Sequence, residues 1–174
     1  ADQLITAWGR TYNIPYIILR PTNNYGIGQY VEKLIPKSIK YLHLGKQIPL
    51  HNEGTPIRNW LHAQDTANAV ITIIDSKSKN EIFNICGGFE QSNWDTVDKI
   101  ITLYHGEDKE LQTTFPHYDE DKNQFLDFSY SRIGQDVRYA LNDDKLRSLG
   151  WKPKMDFNEE LIGIIKYYKN NFIW

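Results

Sequence analysis

The apolar residues of the chain follow helical and strand-like patterns in turn. Near the start, Leu4, Ile5, Trp8 and Tyr12 recur at helical spacing, which predicts an amphipathic helix. The next apolar run, "YIILRP" at residues 16–21, is short and nearly continuous, as is typical of a buried parallel strand. A helix followed directly by a buried strand is the first indication of an α/β fold.

Helices and strands continue to alternate along the rest of the sequence. We expect a second amphipathic helix and then three more, capped by Asp65, Asn93 and Asn158, because short polar side chains accept hydrogen bonds from free N–H groups. The residues expected to line the apolar stripes of the second and the last of these helices are Val31, Leu34, Ile35, Ile39, Leu42, Leu161, Ile162, Ile165 and Tyr168. Strands are expected around the turn at 52–54 and within "EIFNICGG" at 81–88. The predicted class is α/β.

Composition and charge exclude several classes of protein. The 174 residues contain 22 acidic and 20 basic side chains, and the net charge of -2 does not indicate binding to nucleic acid or to an anionic membrane. No apolar run approaches the roughly 18 residues of a membrane span. The single cysteine, Cys86, cannot form an internal disulfide, which fits a reducing compartment and predicts a cytoplasmic protein.

Common catalytic and cofactor motifs do not occur in the sequence. The glycine loop at 26–28 is not a dinucleotide-binding fingerprint, because Val31 stands where a third glycine is needed. There is no metal-binding pair of histidines and no nucleophile elbow. The acidic stretch 119–123 alternates like the start of a calcium loop, but Gln124 replaces the required glycine, so we expect no metal site.

A few polar side chains stand out beside the predicted core. Asn23 and Asn24 directly follow the first strand, where α/β proteins collect their ligands, and Lys33, Arg58 and Arg132 are basic groups on three separate segments. Each has a structural explanation when taken alone, as a turn, a solvated helix face or a cation stacked on an aromatic ring. Taken together they suggest a site for a doubly charged anion, because arginine forks and a lysine point charge suit a diphosphate.

Several stretches carry a resemblance to a known family. They are "ADQLITAWGRTY", "RPTNNYGIGQYVEKLIPKSI", "GKQIPLHNEGTPIRNWLHAQDTANAV", "FNICGG" and "SRIGQDVRYALNDDKLRSLGWKP". In this order they resemble the C-terminal part of the dTDP-glucose 4,6-dehydratases, in the extended short-chain dehydrogenase/reductase family of nucleotide-sugar enzymes. The resemblance covers nearly the whole chain apart from residues 105–128.

The resemblance implies the C-terminal portion of an NAD-binding Rossmann-type protein. Residues 1–30 would be the last helix and strand of the Rossmann part, and 31–174 would form mainly a small mixed α/β substrate-binding domain. Family members are usually about twice as long. Their N-terminal half holds the NAD loop, a Thr-Asp-Glu group and a Tyr-x-x-x-Lys pair whose lysine would lie three residues before Ala1. The resemblance therefore implies no catalytic residue in these 174 residues, NAD bound mainly by the preceding half, and no dehydration by this part alone.

The same resemblance assigns roles to individual residues. Asn23 matches a contact to the substrate phosphates, and Asn24 matches the residue facing the nicotinamide end of the cofactor. The remaining substrate-binding positions are Lys33 and Leu34 over the nucleotide sugar, Pro49 to His51 against the base, Arg58 and Arg132 at the diphosphate, and Asn93 and Gln135 near the nucleotide. His51 stands where tyrosine is usual and Gln135 where histidine is usual, which leaves open whether the base is thymine or uracil.

Three functions stay open on the sequence alone. The first is the substrate-binding half of an NAD-dependent dehydratase that converts dTDP-glucose to dTDP-4-keto-6-deoxyglucose. The second is a related UDP-sugar enzyme, either a UDP-glucose 4,6-dehydratase or an epimerase or decarboxylase. The third is a non-catalytic nucleotide-sugar binding or dimerisation module, because the helix containing Leu4, Ile5 and Trp8 corresponds to one that pairs across a two-fold axis in the family.

Overall fold

The structure, a computed structural model, describes residues 1–106 and 121–171. The described α-helices are α1 (Asp2–Tyr12), α2 (Leu34–His43), α3 (Ala63–Asp75), α4 (Asn93–Gly106), α5 (Asp144–Arg147) and α6 (Phe157–Asn170). The described strands are β1 (Ile17–Pro21), β2 (Asn23–Tyr25), β3 (Ile48–Pro49), β4 (Ile57–His62), β5 (Glu81–Ile85), β6 (Phe89–Ser92), β7 (Leu126–Asp127) and β8 (Arg138–Tyr139). The α/β class is confirmed. The first residue of the acidic stretch considered for calcium, Asp119, lies outside the described residues.

The described residues divide into two compact units that interleave along the chain. Unit 1 comprises 1–24, 59–89 and 140–155, and unit 2 comprises 25–58, 90–106, 121–139 and 156–171. The sequence-based division of the chain into 1–30 and 31–174 follows the domains of the resembling family, and it stays a prediction. No described helix is long and apolar enough to cross a membrane.

Unit 1 is built on a parallel pair of strands. β1 pairs with β5 in the register Ile17↔Glu81 to Pro21↔Ile85. Parallel strands need apolar cover, and the core beside this pair takes residues from β5, from α3 and from the segment around α5. The buried members of this core are Leu61, Ala69, Ile73, Phe83, Ile85, Leu146 and Trp151.

A buried carboxylate fastens the 140–155 segment to α3 within unit 1. Asp65 is 1% exposed, and its two carboxylate oxygens accept hydrogen bonds from the backbone N–H groups of Lys154 and Met155, each at 3.0 Å. The indole N–H of Trp151 donates to the Asp65 carbonyl oxygen at 3.2 Å. The prediction that Asp65 caps α3 is wrong, because the Nδ1 atom of His62 accepts the Gln64 N–H at the cap position.

The apolar stripe of α1 lies on the surface of unit 1. Leu4 and Trp8 are 64% and 55% exposed, and Ile5 and Tyr12 are exposed as well. Together with Ile14 and Tyr16 this helix lines an apolar groove of about 320 Å³. The helix is therefore amphipathic as predicted, but its apolar side is not used in the core of unit 1.

Unit 2 is a packed group of three helices, α2, α4 and α6, with short strands at one side. Its core is apolar and includes Ile35, Ile39, Ile48, Leu50, Val97, Ile100, Ile101, Phe157, Leu161, Ile164 and Ile165. β3 pairs in parallel with β7, and the first two residues of β4 pair in parallel with β8 in the register Ile57↔Arg138 and Arg58↔Tyr139. The 3-10 turn His51–Gly54 joins β3 to β4 in unit 2, as the sequence predicts.

Three details of the unit 2 helices differ from the sequence-based expectation. α2 begins at Leu34, so Val31 is outside the helix and Lys33 occupies the cap position. In α6 the buried isoleucines are Ile164 and Ile165, whereas Ile162 is 40% exposed. The sequence predicted Ile162 for the buried stripe in place of Ile164. Both residues are apolar, and periodicity alone does not choose between positions two residues apart.

Two further caps lie earlier in the chain than predicted. Ser92, and not Asn93, caps α4 through a capping box in which the Asp95 N–H donates to Ser92 Oγ at 2.9 Å and the Ser92 backbone N–H donates to the Asp95 carboxylate at 3.3 Å. Asp156, and not Asn158, caps α6 by accepting the N–H groups of Asn158 and Glu159. Runs of polar residues offer several candidate caps, and only the backbone geometry decides among them.

Replacing Asp65 with alanine should lower the free energy of unfolding of unit 1 by about 2–4 kcal/mol, because two N–H donors lose their acceptor and each unsatisfied donor costs about 1–3 kcal/mol. Urea unfolding followed by circular dichroism measures the change. Asp75→Ala is the matched control, since Asp75 is an exposed aspartate at the end of the same helix. A loss below about 0.5 kcal/mol in the Asp65 variant would show that the carboxylate does not fasten the segment.

Candidate functional site

Arg58 is the half-buried cation at the start of β4 in unit 2. Its Nη1 atom donates to the carbonyl oxygens of Ile57 at 2.8 Å and of Asp136 at 3.0 Å. Burial lowers the pKa of Arg58 from its ordinary value, the neighbouring Asp136 and Tyr139 partly oppose this, and the positive charge of Arg132 lowers it slightly further. The guanidinium is thus held by backbone carbonyls and lies within electrostatic reach of a second arginine.

Arg132 belongs to the segment that leads to β8, and a single side chain holds the backbone of that segment. The Asn52 Oδ1 atom accepts the backbone N–H of Arg132 at 3.0 Å, and Asn52 Nδ2 donates to the carbonyl oxygen of Arg132 at 3.2 Å. The Arg132 side chain is exposed and available to a ligand. Two of the three predicted cations are therefore brought to one place within unit 2.

The third predicted cation, Lys33, has a different neighbour. It stands at the cap position of α2, and its ammonium pairs with the Glu32 carboxylate at 2.9 Å. Both side chains are more than half exposed, so this pair is worth little and is easily exchanged for a ligand contact. No hydrogen bond joins Lys33 to Arg58 or Arg132 within the described residues, and its part in the site stays a prediction. Leu34, half-buried, is the first residue of α2.

The loop that carries Lys33 is fastened to α6 within unit 2. The Tyr168 hydroxyl donates to the carbonyl oxygen of Gln29 at 2.7 Å, and burial raises the pKa of Tyr168. The Lys33 N–H in turn donates to the Tyr30 carbonyl at 3.0 Å. A neutral, buried tyrosine therefore sets the path of the backbone just before the lysine.

His51 and Pro49, predicted to lie against the base, flank the same turn. Pro49 is half-buried in β3, where it pairs with Asp127. The His51 ring lies 5.7 Å from the Tyr130 ring, centroid to centroid, and its Nδ1 atom is buried without a hydrogen-bond partner in the described part of the chain. Burying an unsatisfied ring nitrogen costs free energy, which a ligand with a complementary group would recover.

Gln135 and Asn93 complete the predicted set in unit 2. The Gln135 Oε1 atom accepts a hydrogen bond from Asn52 Nδ2 at 3.0 Å. Asn93 is half-buried as the first residue of α4, and its backbone N–H donates to the Pro56 carbonyl at 3.0 Å. Because Ser92 caps the helix, the Asn93 amide is left without a hydrogen bond in the described residues and is available to a ligand.

Asn23 and Asn24 lie in unit 1, at the start of β2. The Oδ1 atom of Asn24 accepts a hydrogen bond from Thr66 Oγ1 at 2.6 Å, and its Nδ2 atom donates to the Thr22 carbonyl at 3.1 Å. The Thr22 hydroxyl itself donates to buried Asn59 at 3.0 Å. Asn24 is thus fixed by polar neighbours, and the roles of Asn23 and Asn24 both stay predictions.

Sequence reasoning did not identify Asn52 or Asp136 as parts of the site. Asn52 was read only as a turn residue, and the turn is correct, since its φ of 51° lies in the left-handed region that asparagine tolerates. Its contacts to Arg132 and Gln135 join residues about eighty positions apart, and no local pattern signals them. Asp136 contributes a backbone carbonyl, which any residue type could supply, and a negative charge near Arg58, which no local pattern signals.

The arrangement in unit 2 is suited to binding an anion. Two arginines, an outward-facing glutamine, a free asparagine amide and an unsatisfied imidazole offer donors to oxygen atoms. Within the described residues, no group of three or more His, Cys, Asp or Glu side chains could hold a metal ion. The predicted site residues other than Asn23 and Asn24 all belong to unit 2.

Comparison with known proteins gives consistent results. The model of the NAD dependent epimerase/dehydratase family matches residues 1–86. A dTDP-glucose 4,6-dehydratase of Haemophilus influenzae is 35% identical over 172 residues, which are 98% of this chain and 50% of that protein. The chain spans about half the length of the curated relatives it matches.

Solved structures of the same enzymes share the fold. The dTDP-glucose 4,6-dehydratase of Streptomyces venezuelae with NAD and TYD bound is 30% identical with a TM-score of 0.82, covering 98% of this chain and 48% of that one. The Bacillus anthracis enzyme in complex with NAD is 33% identical with a TM-score of 0.80, covering 98% and 50%. The chain is similar over nearly its whole length to the dTDP-glucose 4,6-dehydratases, and its first 86 residues match the NAD dependent epimerase/dehydratase family.

Proposed function

We propose that this chain is the nucleotide-sugar-binding half of an NAD-dependent nucleotide-sugar 4,6-dehydratase. The observation that carries the proposal is that Arg58 donates to the carbonyl oxygen of Asp136, in the same short segment as Arg132, while Asn52 holds the Arg132 backbone. The similarity to dTDP-glucose 4,6-dehydratases over 98% of the chain supports the choice of ligand. The preferred substrate is dTDP-glucose, and the product is dTDP-4-keto-6-deoxyglucose.

The two arginines explain why a nucleoside diphosphate suits the site. Burial lowers the pKa of Arg58, and the like charge of Arg132 lowers it by a smaller amount. A diphosphate carries about two negative charges and relieves both effects through charge-assisted hydrogen bonds. Gln135 would add a neutral hydrogen-bond donor, and Lys33 would add a positively charged one. Binding of the anion would therefore compensate the positive charges of Arg58 and Arg132.

The nucleoside would be recognised by the groups around the turn. His51 has a buried ring nitrogen to satisfy, and the Asn93 amide is not used to cap α4. Both groups can bond to the edge of a pyrimidine, while Pro49 and Leu34 offer half-buried apolar surface to its faces and to the sugar. These contacts orient the glucose, and orientation contributes a large part of the rate in such reactions.

NAD, when bound, supplies the hydride acceptor and donor for oxidation at the sugar C4 and reduction at C6, with loss of water across C5 and C6. Asn24 fits a cofactor contact, because Thr66 and Thr22 fix its amide. The proton-transfer groups, a Tyr-x-x-x-Lys pair and a Thr-Asp-Glu group, would come from a segment preceding Ala1. This chain would bind and orient the substrate.

The assembly proposed for the enzyme is a homodimer in the cytoplasm. The exposed apolar stripe of α1, with Leu4, Ile5 and Trp8, lines an open apolar groove. An amphipathic helix with its apolar side on the surface of unit 1 is suited to pairing with a second copy. A nucleotide-sugar binding module without catalysis would share this surface and the arginines, but it would lack the preceding catalytic groups.

Replacing Arg58 or Arg132 with alanine should weaken the binding of dTDP or UDP at least tenfold, about 1.4 kcal/mol, because each change removes a charge-assisted contact to the diphosphate. Isothermal titration calorimetry of the intact chain measures both affinities. Arg10→Ala is the control, since it removes the same charge from the exposed helix α1. Unchanged affinity in both site variants would refute the diphosphate site.

The reading frame upstream of Ala1 is expected to encode Tyr-x-x-x-Lys, with its lysine three residues before Ala1, and a Thr-Asp-Glu group further upstream. Protein that includes this segment should convert dTDP-glucose or UDP-glucose to a product lighter by one water, as measured by mass spectrometry with NAD present. The catalytic part of the proposal fails if the motifs are absent or if the extended protein with NAD leaves both sugars unchanged.

Leu4→Glu should shift the protein from dimer to monomer in sedimentation velocity, because a charge would be placed in the apolar stripe of α1. Ile71→Glu provides the comparison, as Ile71 is a similarly exposed isoleucine on α3, at 56% against 64% for Leu4. A wild-type protein that sediments as a monomer at micromolar concentration would contradict the proposed dimer.

A further inference from the structure

The Asn52 side chain forms four hydrogen bonds to residues 131–135, the segment that contains Arg132. Its Oδ1 atom accepts from the backbone N–H of Arg132 at 3.0 Å and from the Ser131 hydroxyl at 3.3 Å. Its Nδ2 atom donates to the Arg132 carbonyl at 3.2 Å and to Gln135 Oε1 at 3.0 Å. The backbone N–H of Asn52 donates to the Tyr130 carbonyl at 3.1 Å. The side chain and the backbone N–H of Asn52 thus form hydrogen bonds with four residues of the 130–135 segment.

The direction of these bonds is fixed by backbone groups. A main-chain N–H can only donate and a carbonyl can only accept, so the two contacts to Arg132 determine which end of the Asn52 amide is oxygen and which is nitrogen. With Nδ2 turned toward Gln135, that residue must present its oxygen to Asn52. The Gln135 Nε2 group is then directed away from Asn52 as a donor, and it makes no hydrogen bond within the described residues.

We propose that Asn52 is the positioning residue of the anion site, which sets the backbone at Arg132 and turns the Gln135 amide so that its N–H groups meet an oxygen of the ligand. The proposal rests on the nucleoside-diphosphate site proposed above. Asn52 itself does not touch the ligand. A donor is the useful end of the Gln135 amide here, because phosphate oxygens and pyrimidine carbonyls accept hydrogen bonds and do not donate them.

The backbone of the turn makes a clean test possible. Asn52 and Glu53 both have positive φ, 51° and 54°, so glycine fits either position without strain. Asn52→Gly removes only the four side-chain hydrogen bonds. Glu53→Gly is the matched control, since it makes the same change one residue further along the same turn at an exposed side chain.

Asn52→Gly should weaken UDP or dTDP binding about tenfold in calorimetry at a temperature where every variant is folded, whereas Glu53→Gly should leave the affinity unchanged or slightly tighter. In an Arg132→Ala background the effect of Asn52→Gly should shrink to less than threefold, because the arginine that it positions is gone. A residue with only a structural role would lower the melting temperature without this dependence on Arg132.

The outcomes separate this inference from the proposed function. Affinity within twofold of wild type in Asn52→Gly, combined with a tenfold loss in Arg132→Ala, overturns the role of Asn52 alone. Full additivity of the two changes also overturns it. Affinity that neither arginine variant changes, or a wild-type chain that binds neither UDP nor dTDP, overturns the site itself.

A second measurement on the wild-type chain covers the case in which Asn52→Gly does not fold. The side-chain amide protons of Asn52 should exchange slowly with solvent in NMR spectra of the free protein, and those of Gln135 should exchange fast and become protected when UDP is added. Fast exchange at Asn52, or Gln135 signals that UDP leaves unchanged, would contradict the proposal.

Discussion

The backbone anchoring of Arg58 and Arg132 is the constraint on which the candidate site of unit 2 depends. Burial of the Arg58 guanidinium lowers its pKa, and the positive charge of Arg132 has a smaller effect in the same direction. Both arginines keep their places because their backbones are held. Arg58 is fixed by the parallel pairing of β4 with β8, and the segment of Arg132 is fixed by Asn52. An anion bound there would meet the Arg58 guanidinium already held by two carbonyl oxygens, so little ordering entropy would oppose that contact.

The helices of the molecule could be predicted from apolar periodicity, but their first residues could not. Periodicity located α1, α2, α4 and α6, yet Asp65, Asn93 and Asn158 were each wrongly expected to be caps. At two of the three, the side chain has another environment than expected. The Asp65 carboxylate fastens a distant segment, and the Asn93 amide is not used to cap α4.

The site residues were predictable by type and not by contact. The resemblance to a family supplied Arg58, Arg132, His51 and Gln135, and the structure places all four in unit 2. What joins them is Asn52, which forms hydrogen bonds with residues about eighty positions later in the chain. Sequence patterns describe neighbours along a helix or strand, and a hydrogen bond across such a distance leaves no periodic trace. The candidate binding residues were therefore named from the resemblance, and the side chain that forms hydrogen bonds with two of them was not.

The proposed nucleotide site also bears on which base, thymine or uracil, is preferred. The unsatisfied Nδ1 atom of His51 can bond to the edge of a pyrimidine, but both bases present the same N–H and carbonyl groups there. They differ in one methyl group, so a hydrogen bond from His51 cannot tell them apart. Burying a methyl is worth about 0.8 kcal/mol, or roughly fourfold in affinity. Selection of one base must therefore come from how closely apolar surface, such as the Tyr130 ring beside His51, packs against that methyl group.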